Sequence, residues 1–164
     1  MHDLENLKMQ NESALVANAL KPFFQKLGFE AHTGYKQKNN SEIDLALMHE
    51  NKVKVIIEAK KPDSKDFITS QNINVKSLHE AILYYFRERE SNHYPSFIII
   101  TDFYRFYIFH AREFEKFFYQ NKEFKRFYNE CNKPNSLFKN ADSNDMKTQT
   151  FYDEVKRILD SKNY

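Results

Sequence analysis

One cysteine in 164 residues, Cys131, excludes an internal disulfide and a zinc site built from thiolates, and it fits a reducing, cytoplasmic setting. Only two glycines occur, Gly28 and Gly34, so a glycine-rich cradle for nucleotide phosphates is hard to build anywhere in the chain. No G-x-x-x-x-G-K-[ST] loop is found, which excludes P-loop ATP chemistry within these residues. The longest aliphatic run, Phe97-Ile98-Ile99-Ile100, is far too short to cross a bilayer. No signal-peptide pattern opens the sequence, and the expectation is a soluble protein without a membrane partner. Charge of one sign is also lacking: 25 basic residues stand against 23 acidic ones, for a net +2 with histidines neutral. That balance excludes a protein that grips nucleic acid by charge alone.

Aromatic residues are abundant, with 16 Phe and 10 Tyr but no Trp. So much apolar surface demands a packed core, and the length suits a single domain over 1–164. Its core is expected over about 11–111, with a helical extension over about 112–164. "NESALVANALKPFFQKLGF" predicts a helix from the spacing of Leu15, Ala19, Leu20, Phe23, Phe24 and Leu27, with Gly28 as its stop and Pro22 as a kink. "FEAHTGYKQK" reads as an exposed strand. "EIDLALMH" alternates Ile43, Leu45 and Leu47 with Asp44 and Ala46, the pattern of a half-buried strand. A tight turn at "HENK" leads into the strand "VKVIIEAK" and completes a hairpin. "NVKSLHEAILYYFRERE" predicts a helix whose stripe is Leu78, Ile82 and Tyr85, joined by Ala81 and Phe86, with Arg87 and Arg89 outside. "SFIIITD" and "RFYIFH" follow as strands, and "REFEKFFYQNKEFKRFYNE" as a helical, aromatic stretch. "NKPNSLFKNADSNDMKT" is a polar connector before a last helix, "TFYDEVKRIL".

The chemistry concentrates in "SEIDLALMHENKVKVIIEAKKPDS". An apolar strand that buries Val55, Ile56 and Ile57 ends at once in Glu58, Ala59 and Lys60. Glu58 and Lys60 share one strand face and Ala59 takes the other. A register that sets Asp44 opposite them gathers two carboxylates and an ammonium on one patch of sheet. Two close carboxylates repel, and burying them is costly without a cation between them. A hard divalent ion, Mg²⁺ first and Mn²⁺ as its substitute, meets that need through oxygen ligands. Lys60 beside it would orient water or neutralise charge on a phosphate under attack.

Acid-any-Lys is a weak signal alone, because it begins seven times here, at Glu50, Glu58, Asp63, Glu123, Asp145, Glu154 and Asp160. Only Glu58 ends an apolar strand with an acid placed in the strand before it. On the residues alone, Glu58 and Lys60 are equally compatible with solvated gatekeepers on an edge strand.

The constellation resembles the PD-(D/E)XK nuclease superfamily. Asp44 matches the motif's first acid, Glu58 the second and Lys60 the lysine, while Ile43 stands where the motif has proline. Glu12 falls where many members carry a further acid near the metal. From about Asn11 to Tyr128, the helix "NVKSLHEAILYYFRERE" and the strands in "IIITDFYRFYIFHAREFEKFF" make the chain similar to the N-terminal endonuclease region of type IIG/IIS restriction-modification enzymes. The resemblance implies an α/β fold with a restriction-endonuclease-like core, a central mixed sheet flanked by helices, and extra aromatic C-terminal helices. It implies Mg²⁺-dependent hydrolysis of double-stranded DNA, with Asp44, Glu58, the Ala59 carbonyl and Glu12 at the metal and Lys60 at the attacking water. The chain has no Asn/Asp-Pro-Pro-Tyr/Phe segment of an adenine methyltransferase. Methyltransferase and target-recognition domains are therefore implied in a longer chain or as partners, and a dimer on DNA is one route to a double-strand break. The alternative is a catalytically inactive nuclease-fold module for DNA binding or assembly.

Other residues carry weaker signals. His79, on the central helix, is a candidate for assisting proton transfer, although packing or hydrogen bonding is the favoured role. Gln71 is a candidate for supporting Lys60. Lys36, Lys38 and Lys61 would line a phosphate-tracking groove, with a solvated loop equally open for Lys36 and Lys38. Tyr84 and Tyr85 read as core or rim residues rather than contacts to a DNA backbone, and the cluster from Phe114 to Tyr128 as a surface that packs on the sheet or docks onto further domains rather than as base-stacking platforms.

Overall fold

A computed structural model describes residues 10–37, 41–133 and 148–162. Its centre is a hairpin of β2 (Glu42–His49) and β3 (Lys52–Ala59). Glu50 and Asn51 both hold positive φ, 50° and 60°, which matches the twist of a two-residue hairpin turn. Near the turn Met48 pairs with Val53, but further in Leu47 pairs with Val55. Lys54 is the extra residue of a β-bulge, and it advances β3 by one position against β2. The shift carries Leu45 opposite Ile57, so the next pair inward sets Asp44 against Glu58. Without it, Asp44 would face Ile57.

β1 (Glu30–Lys36) adds antiparallel to β2. After α2 (Lys76–Glu90) the chain returns as β4 (Phe97–Thr101), parallel to β3, and β5 (Phe106–His110) closes the far edge antiparallel to β4. The sheet order is β1-β2-β3-β4-β5, so β3 is the middle strand of a five-stranded mixed sheet. The chain is an α/β protein with helices on both sheet faces.

On one face lies α1 (12–26), in which a π-helical stretch, Val16–Leu20, separates Glu12–Leu15 from Lys21–Lys26. The wider turn falls just before Pro22, whose ring and missing N–H disfavour a regular α-turn there. Val16, Leu20 and Phe24 pack on Leu45, Leu47, Val55, Ile57 and Ile99. On the other face, α2 buries Leu78, Ile82 and Tyr85 against Ile56, Ile98 and Ile100. Each of these large side chains, taken fully out of water, contributes roughly 1.5–3 kcal/mol.

The aromatic segment forms two helices. α3 (111–119) ends in a second π-helical stretch, Glu115–Tyr119, and α4 (Lys122–Asn132) starts afresh at Asn121, whose side chain accepts from the Glu123 N–H. α5 (Thr148–Lys162) begins two residues before the stretch predicted for it. The connector that precedes it lies almost wholly outside the described residues.

Two expectations are corrected. β2 is buried on both faces rather than half-buried: Leu45 and Leu47 face α1, while Ile43 and Ala46 join the α2 cluster. Arg87 is not outside but 5% exposed. α4 and α5 cover the outer side of α2 with Tyr128, Phe151 and Tyr152, which a periodicity confined to α2 cannot reveal.

Candidate active site

Glu58 and Lys60 leave the end of the central strand on the α2 side, and Ala59 points to the α1 side. The backbone there is fixed from both directions. Lys60 N–H donates to the Thr101 carbonyl at 2.8 Å, and Ala59 N–H donates to Asp44 Oδ2 at 2.8 Å. The second bond ties the β2 carboxylate to the end of β3. Glu12, in the first turn of α1, reaches over the same point: its Oε2 accepts from Lys61 N–H at 2.9 Å, and its Oε1 lies 3.8 Å from Lys60 Nζ.

Burial decides between the two readings of Glu58 and Lys60. They are 1% and 7% exposed on the middle strand, so they are not solvated gatekeepers of an edge. Lys60 Nζ is ion-paired with Glu58 Oε1 and with Glu80 Oε2, the latter at 2.8 Å. Glu80 sits in α2 and is also 3.7 Å from Lys76, one turn earlier. The sequence reading missed Glu80. It falls off the apolar stripe of its helix, and its spacing from Lys76 reads as an ordinary surface pair.

Three carboxylates and one ammonium in a desolvated pocket cannot keep ordinary ionisation. Burial raises the Glu58 carboxyl well above its usual range, and the Asp44 charge adds to this. Asp44 is also raised, by burial, against the Ala59 N–H and Lys60 that hold it down. Glu80 moves the other way, because the neighbouring Glu58 carboxyl and Lys60 ammonium outweigh its burial. For Lys60, burial alone would lower the pKa, but Glu58 and Glu80 overcome it and push it above the usual lysine range. The ammonium is therefore firmly charged.

Among the described residues, no three His, Cys, Asp or Glu side chains form a ready metal cage. Lys60 stands among the acids in the place of such a cation. The side-chain donors are all carboxylate oxygens, a kind a hard divalent ion prefers. Glu58 Oε2 is buried and its neighbour is the Glu80 carboxyl, so either a proton shared between the two acids or such an ion would satisfy it. The residues fit Mg²⁺ or Mn²⁺ once Lys60 yields its contact with Glu58 and stays on Glu80.

The remaining candidates lie elsewhere. Gln71 lines a separate cleft with Asn72, Asn74 and Asp160. His79 Nε2 bonds Asn74 Oδ1 at 2.7 Å, on the side of α2 where Tyr152 and Lys156 pack, and burial with the Lys156 charge lowers its pKa to about 4. A neutral, bonded His79 fits the structural role. Lys36 lies 3.9 Å from Glu42 across β1 and β2, while the Lys61 side chain is exposed beside Glu12. Lys38 lies outside the described residues. Tyr84 and Tyr85 are buried, and Tyr85 Oη donates to Glu115 at 2.8 Å.

A family model for a domain of unknown function, DUF7149, matches residues 2–163. No curated protein and no solved structure matches the chain. The match spans nearly the whole length, and the chain belongs to the DUF7149 family.

Proposed function

We propose that this domain is a divalent-metal-dependent DNA endonuclease module with a restriction-endonuclease-like core, of the type found in type IIG/IIS restriction-modification systems. One observation carries the reading: Asp44, Glu58 and Lys60 meet at the end of the buried central strand, where Glu58 Oε2 has no donor beside it except a proton shared with Glu80. A purely structural ion pair gains little from such burial, since desolvation offsets much of its Coulomb energy.

Asp44 and Glu58 would hold Mg²⁺ or Mn²⁺, with the Ala59 carbonyl and Glu12 as further oxygen donors. When bound, the ion supplies Lewis-acid polarisation of the phosphate and an acidified water. Lys60, held by Glu80, neutralises charge developing on the phosphate oxygens and orients the attacking water. The Ala59 N–H keeps the Asp44 carboxylate aimed at the end of β3. Glu12 is more solvent-open than Glu58 or Glu80, its side chain 33% exposed against 1% and 12%, so DNA would approach from its side. Hydrolysis proceeds by in-line displacement and leaves a 5′-phosphate. The small net charge leaves most DNA affinity and all sequence choice to methyltransferase and target-recognition domains.

A second reading is a non-catalytic assembly or DNA-binding module. It is favoured by the Lys60 ammonium, which already neutralises its acidic neighbours. Plasmid cleavage in Mg²⁺ and in Mn²⁺, beside the Lys60→Ala variant, separates the two. Metal-dependent nicking that falls about 100-fold or more in the variant supports the nuclease. Equal nicking by both chains sinks the role of Lys60. If neither chain cuts, metal binding measured by calorimetry and lost in Asp44→Ala still separates a metal site from a closed ion cluster.

A further inference from the structure

The two edges of the sheet differ. β1 is broken mid-strand by Gly34 at φ +59° and carries Glu30, His32 and Lys36 as exposed side chains, features that discourage pairing with another strand. β5 has no such break and, apart from His110 at its end, no exposed polar side chain. It reads Phe-Tyr-Ile-Phe-His, without proline, lysine or a bulge.

The hydrogen-bond phase of β5 follows from its two ends. Asp102 N–H donates to the Arg105 carbonyl, and Ala111 N–H donates to the Ser96 carbonyl. Between them Tyr107 and Phe109 turn their backbone groups to β4, and Phe106, Ile108 and His110 turn theirs away from the sheet. That phase leaves the N–H groups of Phe106, Ile108 and His110 and the carbonyls of Phe106 and Ile108 outside the ladder to β4. The same three residues project their side chains on the α1 face. Ile108 is 63% exposed there, between Phe106 at 39% and the neighbouring Phe97 at 42%.

We infer that β5 is a self-pairing edge: two copies of this chain join their β5 strands antiparallel about a two-fold axis at Ile108, making one continuous sheet. The occupant must be an extended strand, because the outward donors and acceptors recur at the two-residue spacing of a β-ladder. A second copy fits for two reasons. Between Phe106 and His110 there is no Lys, Arg, Asp or Glu, so the two-fold brings no like charges together. The axis also sets each Phe106 beside the partner copy's imidazole at position 110. The chain already makes that kind of pair internally, with Phe97 and His110 facing across β4 and β5 at a ring separation of 5.2 Å.

This surface does not rest on the hydrolytic reading. It does constrain it. β4 is parallel to β3 and antiparallel to β5, so the Asp44–Glu58–Lys60 cluster lies toward the end of the sheet where β5 begins. Antiparallel joining puts the two clusters at opposite ends of the shared sheet. Such a dimer presents two independent sites and does not converge them on one base-pair step.

Light scattering coupled to size exclusion, with the full chain across a concentration series, tests the inference. The wild type should weigh as a dimer, and Ile108→Lys, with two ammonium groups near the axis, as a monomer of unchanged circular dichroism. Ile108→Cys should form an intermolecular disulfide under mild oxidation, because directly paired strand residues have Cα atoms about 5.5 Å apart. His32→Cys on the β1 edge should not. A wild type that stays monomeric up to about 1 mM overturns the inference. So does a dimer that survives Ile108→Lys, or His32→Cys crosslinking as readily as Ile108→Cys.

Discussion

Replacing Lys60 by methionine keeps most of the side-chain volume and removes only the cation from among Glu58, Glu80 and Glu12. The Lys60 and Glu58 side chains are 9% and 1% exposed and that of Glu80 is 12%, so little solvent is at hand to take over the lost charge. Removing one partner from a buried pair costs about 3–5 kcal/mol when the orphaned charge must stay ionised. In a chain of this length that corresponds to a fall in Tm of roughly 6–20 °C. The cost should depend on pH, with a definite sign. In the variant, Glu58 and Glu80 hold their protons more tightly folded than unfolded, so the folded state binds more protons above the ordinary carboxylate pKa of about 4.3. Stability then falls as pH rises through the raised folded pKa. The wild type should fall in the same direction, because burial already raises Glu58 and Asp44 there, but less steeply, since the Lys60 charge holds both down.

Thermal melts of both chains at about pH 5 and about pH 8, with and without Mg²⁺, measure this. Most of the loss should return at the lower pH, where the acids take up protons. At the higher pH a divalent ion should replace the missing cation and raise the Tm of the variant more than that of the wild type. Saturation at about 100 times Kd corresponds to ~2.7 kcal/mol. A deficit of equal size at both pH values would refute the reasoning, since it would make the loss one of packing rather than charge. An Mg²⁺ response no larger than that of the wild type would show that the acids do not form a cation site.

Deleting Lys54 removes the unpaired residue of the bulge and leaves Leu47 opposite Val55 and Asp44 opposite Glu58, so metal binding should persist in a chain that still folds; calorimetry beside circular dichroism checks both halves. Glu80→Gln keeps a hydrogen-bond acceptor for Lys60 but removes its charge, and should lower kcat of a metal-loaded nuclease more than it raises KM in steady-state cleavage assays. Asn121→Ala removes the cap of α4 and should cost about 1 kcal/mol in chemical denaturation, leaving metal binding intact.

The parts of the site legible in the sequence are those fixed by strand alternation. A β-branched run ending in Glu-Ala-Lys places an acid and a lysine on one side of a strand with no tertiary information. The hairpin turn also announces itself, because Glu50 and Asn51 separate two apolar strands. What remained hidden depends on contacts between distant segments. Lys54 looks like an ordinary outward residue in Val-Lys-Val, yet its bulge sets which β2 side chain meets Glu58. Glu80 carries no local mark, since its partner is reached only when α2 lies across the end of β3. Arg87 was misplaced for a related reason: helical periodicity reports one buried face, and α2 is covered a second time by α4 and α5. The hidden residues share a physical feature. Each supplies charge or register to a group the sequence does reveal, so their importance rises with the burial of that group. Lys60 on an exposed edge would need neither a bulge to align its neighbours nor Glu80 to keep it charged. Buried on the central strand, it depends on the register beyond the bulge for its acidic neighbour and on Glu80 for its charge, and that dependence makes Glu80 as much a part of the site as the acid and lysine read from the strand itself.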